Sequence, residues 1–255
     1  MLGAAVIVML ASPAWAAKAA QAPDSAAPAV PASGAKIVVP PGAAGTEITA
    51  AEALIFTAPH MHGVAPHTEL DYSLVHKDMP DVPDDTVRLL VLSEGNSKSD
   101  AALADRSGPV QLSNEGLACN PVVLYFLQRD IAEMEKLTGG QRRYFQKRIR
   151  MALASGPAIR QVTRKVDGKP VGAREIAIQP YLNDPNASRF EQFLGKRYTF
   201  VLSDTVPGEI MEIRTDVPGA NSNFAEPLKS EVLSFKSAVR GIKGDKPLSG
   251  PQASL

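Results

Sequence analysis

All four histidines of the chain fall within one short stretch: His60, His62, His67 and His76. Imidazole is the commonest protein ligand for transition metals, so this clustering predicts a zinc or copper site built on His60 and His62. Met61, Glu69 and Asp71 are the nearest further donors. In an extended segment, His60 and His62 would project from the same side, as shared coordination requires. Strand parity separates the others. His76 shares the face of Leu70 and Tyr72, whereas His67 lies with Glu69 and Asp71 on the opposite one. The carboxylate follows the second histidine at too long a spacing for the cupin pattern. The competing reading is a set of loop and strand-end histidines that hold no ion, and no cofactor is expected.

Cys119 is the single cysteine and stands just before a helix start, where the helix dipole favours a thiolate. Nothing near it in sequence supplies a base, so the alternative is a small buried residue ahead of the cap. No nucleophile elbow, phosphate loop or dinucleotide fingerprint occurs. The acidic pair Asp84/Asp85 falls in a turn, where solvation accounts for it. These features weigh against an enzyme, with Cys119 or a histidine–carboxylate pair the remaining catalytic options. One cysteine also excludes an intramolecular disulfide, so packing must supply the stability.

The elements that position these residues follow from periodicity. Thr68 to His76 alternates as a half-buried strand, and Thr86 to Ser93 reads as a second. Glu94 to Asp105 reads as a loop. Asn120 is a good N-cap and Pro121 suits the first helical position. Val123, Phe126, Leu127, Ile131, Met134 and Leu137 then recur at helical spacing down to Thr138. Gly139-Gly140 ends this helix and opens another, striped by Phe145, Ile149, Ala152 and Leu153 and stopped by Gly156-Pro157. So short a break predicts a helical hairpin or sharp corner. The basic residues Arg142, Arg143, Lys147, Arg148 and Arg150 could meet anionic headgroups, but pairing with Asp130, Glu133 and Glu135 is simpler.

After the helices the period changes to two. Ile159 to Val166 and Val171 to Gln179 flank Asp167-Gly168, a hairpin signal. Ser188 to Leu194 reads as a short helix. Arg197 to Ser203 pairs with Glu209 to Asp216 across Val206-Pro207-Gly208, and Pro227 to Val239 fits either a helix or a strand. The expected fold is α+β, an antiparallel and curved, half-barrel-like sheet packed on a helical hairpin.

Leu2 to Ala11 is apolar and is followed by the small-x-small triplet Ala14-Trp15-Ala16, the pattern of a signal peptide over residues 1–16. The apolar run, about ten residues, is short of the roughly twenty that span a bilayer. No transmembrane segment is expected later either. Residues 17–47 read as an Ala/Pro-rich flexible tether, 48–240 as one domain, and 241–255 as a disordered tail. The 27 basic and 27 acidic residues balance, which argues against a nucleic-acid partner. Export, most simply to a periplasm, is the expected address.

The segments Phe56-Thr57-Ala58-Pro59-His60, Leu70-Asp71-Tyr72, Asn120-Pro121, Phe126-Leu127-Gln128-Arg129-Asp130, Thr138-Gly139-Gly140 and Tyr144 to Arg150 resemble a family of exported proteobacterial proteins of unknown function. The resemblance covers most of residues 55–217 and implies export and a shared fold, with no catalytic residue. A looser similarity is to periplasmic half-barrel carriers of the lipoprotein-chaperone type, in which a sheet closes over helices and shelters an acyl chain. The first functional expectation is therefore an exported binding or carrier protein for a lipid or small apolar ligand, lined by Tyr72, Tyr198 and Phe200. The second is a metal-binding protein using His60 and His62.

Overall fold

The computed structural model describes residues 48–77, 81–93, 101–112 and 118–241, all within one compact unit that spans residues 46–255. The expected signal peptide, tether and tail lie outside the described residues. Helix α1 (Ala50–Phe56) opens the fold, capped by the Thr49 side chain accepting from the Glu52 N–H. Four strands follow: β1 (Thr68–Lys77), β2 (Asp85–Val91), β3 (Ala101–Asp105) and β4 (Gly108–Val110). Helices α2 (Pro121–Thr138) and α3 (Arg142–Ala154) come next, then β5 (Ile159–Val166), β6 (Lys169–Ile178), β7 (Arg197–Leu202), β8 (Ile210–Val217) and β9 (Lys229–Arg240).

All nine strands form one antiparallel sheet in the order β4-β3-β2-β1-β9-β8-β7-β6-β5. Each half, β1–β4 and β5–β8, is a meander of neighbours in sequence. The two halves meet only when the last strand, β9, inserts between β1 and β8. The fold is thus an α+β arrangement with an antiparallel sheet, as the change of period implied. Residues Arg164 to Asp167 and Ser234 to Lys236 line one hollow of about 320 Å³. They belong to β5 and its turn, and to β9, four strands apart, a separation of about 19 Å in a flat sheet. Val201 of β7 and Met211 and Glu212 of β8 line it between them.

Alternation assigns the faces. Leu70, Tyr72 and Leu74 of β1 align with Leu89 and Val87 of β2, and with Leu233 and Phe235 of β9. Ile176, Phe200 and Ile213 continue this face through β6, β7 and β8. Against it pack Val122, Val123, Phe126, Ile131 and Met134 of α2, and Phe145, Ile149 and Leu153 of α3, all buried in one apolar cluster. Burying side chains of this size contributes roughly 1.5–3 kcal/mol each, so the layer between sheet and helices dominates stability.

Two segments differ from the sequence reading. Ala101 to Asp105 is strand, not loop. Its Ala-rich composition has low intrinsic β preference, and pairing of Leu103 with Leu89 imposes the conformation. The segment before β7 forms two separate single 3₁₀ turns, Ala187–Arg189 and Glu191–Phe193, rather than one helix. The helix break behaves as read. Gly139 closes α2 at φ 67°, and a Cβ on Gly140 would lie 2.7 Å from the Phe145 ring.

Gly208, in the turn from β7 to β8, is held at φ 77°, where an added Cβ would lie 2.6 Å from Asn120 Nδ2 and 2.8 Å from Leu70 Cδ1. Gly63 has a similar φ of 79° with nothing near. Gly63→Ala should therefore cost about 1 kcal/mol of backbone strain alone. Gly208→Ala adds overpacking and should cost at least about 2 kcal/mol. Urea denaturation of both variants checks this; equal losses would mean that the close approach to Asn120 is unimportant.

Candidate functional site

Asn120 joins four parts of the fold. Its side-chain oxygen accepts from the Val122 N–H at 3.1 Å, capping α2. Its amide nitrogen donates to Tyr72 Oη and to the Gly208 carbonyl, each at 2.9 Å. Its backbone N–H donates to His60 Nδ1 at 3.1 Å. Because Nδ1 accepts, the ring proton sits on Nε2, which donates to the Leu54 carbonyl at 2.8 Å. The fully buried Asn120 thereby fixes the α1–β1 connection and the β7–β8 turn against the start of α2.

Between those two connections lies a groove of about 440 Å³. One wall is His60, His62 to Ala65 and Thr68, the other is Asp204 to Glu209, and Ala238 and Arg240 of β9 complete it. The rim is strained. His67, next to the groove, and Glu209, on its wall, are held at φ 58° and 56°. Left-handed backbone at such residues costs on the order of 1–3 kcal/mol and persists only where surrounding bonds dictate it. Here the His67 N–H donates to the Val91 carbonyl, and Glu209 exchanges backbone bonds with Val206 and Ser203. Thr68 is 3% exposed and its Oγ1 has no hydrogen-bond partner. Glu209 is paired with Arg174 at 3.1 Å.

The residues read from the sequence are distributed differently from expectation. His60 is buried with both ring nitrogens engaged by backbone, and His62 is exposed in a run of turns, so the segment is not extended and gives them no common side. A metal at His60 would first have to break one of those two bonds. Tyr72, Tyr198 and Phe200 lie in the filled layer between sheet and helices. Tyr72 Oη is taken by Asn120, while Tyr198 donates to Asp130 at 2.6 Å and shares a bond with Tyr181 Oη at 2.9 Å. Cys119 is buried, and burial pushes its thiol up to about 11, the opposite of activation.

A second polar cluster joins α2 to the sheet. Arg129 Nε donates to Glu231 Oε1 at 3.0 Å, and His76 Nε2 lies 3.1 Å from the same oxygen. His76 and Glu231 are cross-strand partners on β1 and β9, a histidine–carboxylate pair on the face parity assigned to His76. The ring is buried and its Nδ1 is unpartnered. Lys196 pairs with the fully buried Asp130. Carboxylate oxygens of Asp130, Glu133 and Glu231 come within 4.8 Å of one another. Burial and its acidic neighbours raise Glu133. Burial would raise Glu231 too, but the His76 hydrogen bond and the Arg129 and Lys196 charges outweigh it and lower it. The hollow beside these groups is about 20 Å³, the size of a water molecule. Lys196 already supplies the cation that such a carboxylate group calls for, and the arrangement ties α2 to β7 and β9.

The basic face of α3 is divided. Arg142 pairs with Glu135 of α2 at 2.6 Å, as expected across the helix break, whereas Arg148 reaches Asp184 at 2.8 Å. No described helix is long and apolar enough to cross a membrane, a statement that does not extend to strands.

Neither a family model nor a curated protein matches the chain, so the family resemblance read from the sequence gains no support from them. Among solved structures, the Mycobacterium tuberculosis lipoprotein LppX aligns with 69% of this chain and 89% of its own at 9% identity and a TM-score of 0.28. That similarity is too slight to define a common architecture.

Burial lowers the His60 pKa from its ordinary value of about 6.5, with the Leu54 hydrogen bond opposing it. A depressed histidine stabilises the fold fully above its unfolded value and progressively less as pH falls below it. Imidazole NMR titration should find the neutral His60 ring as the Nε2–H tautomer, with an apparent pKa below 6.5. A value at or above 6.5 would mean that the ring is solvated rather than locked between Leu54 and Asn120.

Proposed function

We propose that this chain is an exported, non-enzymatic binding protein that holds its ligand in the groove between the α1–β1 connection and the β7–β8 turn. One observation carries the reading: a hollow of about 440 Å³ is built from strained, internally bonded backbone, with the enclosed, unpartnered hydroxyl of Thr68 in its wall. Its volume falls within the range of small-molecule sites, about 300–1,000 Å³. Strain held by surrounding bonds is more easily explained by a preorganised site than by packing alone. Export rests on the apolar Leu2–Ala11 run and the Ala14-Trp15-Ala16 triplet.

An apolar ligand among Tyr72, Tyr198 and Phe200 would need the packed layer to open and two buried tyrosine hydroxyls to lose their partners, each loss costing about 1–3 kcal/mol. The groove asks for no such rearrangement. Catalysis has less support still, because the Cys119 thiol is raised and the His76 ring is buried away from the groove.

Native mass spectrometry of protein purified from its source tests the reading. A small molecule should accompany the wild-type chain and be absent from Ala238→Trp, which fills the groove, while thermal unfolding shows that the variant still folds. Retention of the same molecule by Ala238→Trp would exclude the groove as the binding site.

A further inference from the structure

The lining of the groove carries charges of both signs. Thr68 and Arg240 are cross-strand partners at the last pairing of β1 with β9, so the hydroxyl and the guanidinium project side by side from one face. Both line the groove. Thr68 Oγ1 is the buried, unpartnered donor, and Arg240 has no ion-pair partner among the described residues. On the facing β7–β8 turn stand two carboxylates. Arg174 pairs with Glu209, and Asp204 has no ion-pair partner among the described residues. The lining also includes the small or apolar residues Val64, Ala65, Val206, Pro207 and Ala238.

Resting on the proposed binding role of this groove, we infer that its ligand is a small zwitterion of the short-peptide class. The ligand's carboxylate meets Arg240, its ammonium meets Asp204, and short side chains lie against Val64, Val206 and Pro207. The lining argues against the other common classes. A single guanidinium beside two carboxylates does not suit a polyphosphate or nucleic acid, which needs clustered cations. No phenyl, phenol or indole ring among the lining residues offers a stacking platform for a base or sugar. Acyl chains would leave Thr68, Asp204 and Arg240 desolvated without partners. A zwitterion satisfies both ends, and charge-assisted hydrogen bonds of this type are the stronger kind.

Isothermal titration calorimetry of the full chain with L-alanyl-L-alanyl-L-alanine tests the inference, beside its N-acetyl and C-terminal amide forms. Tri-alanine should bind, and blocking either terminus should weaken it by about tenfold or more. Arg240→Gln should weaken tri-alanine by a similar factor while leaving the amide form unchanged, and Asp204→Asn should do the converse with the N-acetyl form. A merely structural role for these residues would shift all three probes together. Absence of tri-alanine binding, or equal binding of free and blocked forms, overturns the inference. If a co-purified molecule is nonetheless lost in Ala238→Trp, the groove remains the binding site and only the ligand class is wrong. If the molecule survives that substitution, both readings fall.

Discussion

The hydrogen bonds of Asn120 are the constraint on which the candidate site depends. The buried side-chain amide caps α2 and, at the same time, holds Tyr72 in β1 and the Gly208 carbonyl in the β7–β8 turn, while the backbone N–H of the same residue holds the imidazole of His60. A cap is ordinarily worth about 0.5–2 kcal/mol. Here its loss would also strand a buried carbonyl and a phenol, each with its own desolvation penalty. The two walls of the groove are otherwise joined to different parts of the chain. Their separation is therefore set by a helix terminus that belongs to neither.

A second constraint acts through the middle of the layer. Lys196 and Asp130 are buried together, with Tyr198 and Tyr181 extending the network and Arg129, His76 and Glu231 beside it. Removing one member of a buried pair typically costs 3–5 kcal/mol, because the other is left charged in a poor solvent. Such a network resists opening. The interface between α2 and the sheet is thus stiff and filled, and the groove lies at the end of the sheet, where Thr68 and Ala238 continue the same face. On the opposite face Asp71 and Ser237 are bonded across β1 and β9, while Leu90, Ala104 and Val201 are buried.

Much of the architecture is legible in the chain because local and tertiary preferences agree. Asn120-Pro121, the apolar stripe that follows and Gly139-Gly140 specify α2 and its ends, and Asp167-Gly168 specifies the β5–β6 hairpin. Where the two preferences diverge, reading fails. Ala101 to Asp105 becomes a strand through its neighbour, and β9 is ambiguous alone because its place between β1 and β8 is a fact of topology. Strand parity placed His76 on the covered face, but its partner Glu231 lies far along the chain. The aromatic face of Tyr72, Tyr198 and Phe200 had the composition of a ligand pocket; the hydroxyl partners that close it come from α2 and its cap. The groove was hardest to see. Asp204 to Glu209 has the composition of an ordinary turn, and only the positive φ of Glu209 and the orphaned Thr68 hydroxyl mark it.

Amide hydrogen exchange of wild type and Asn120→Ala under native conditions tests the central claim most directly. If this amide fixes the groove, the substitution should speed exchange in the first turn of α2 and in residues 203–210, while residues 54–68, still held by the residue 120 backbone N–H, change less. The β5–β6 hairpin should keep its protection, since local openings need not follow global unfolding. A uniform change across the sheet, or none in residues 203–210, would contradict the claim.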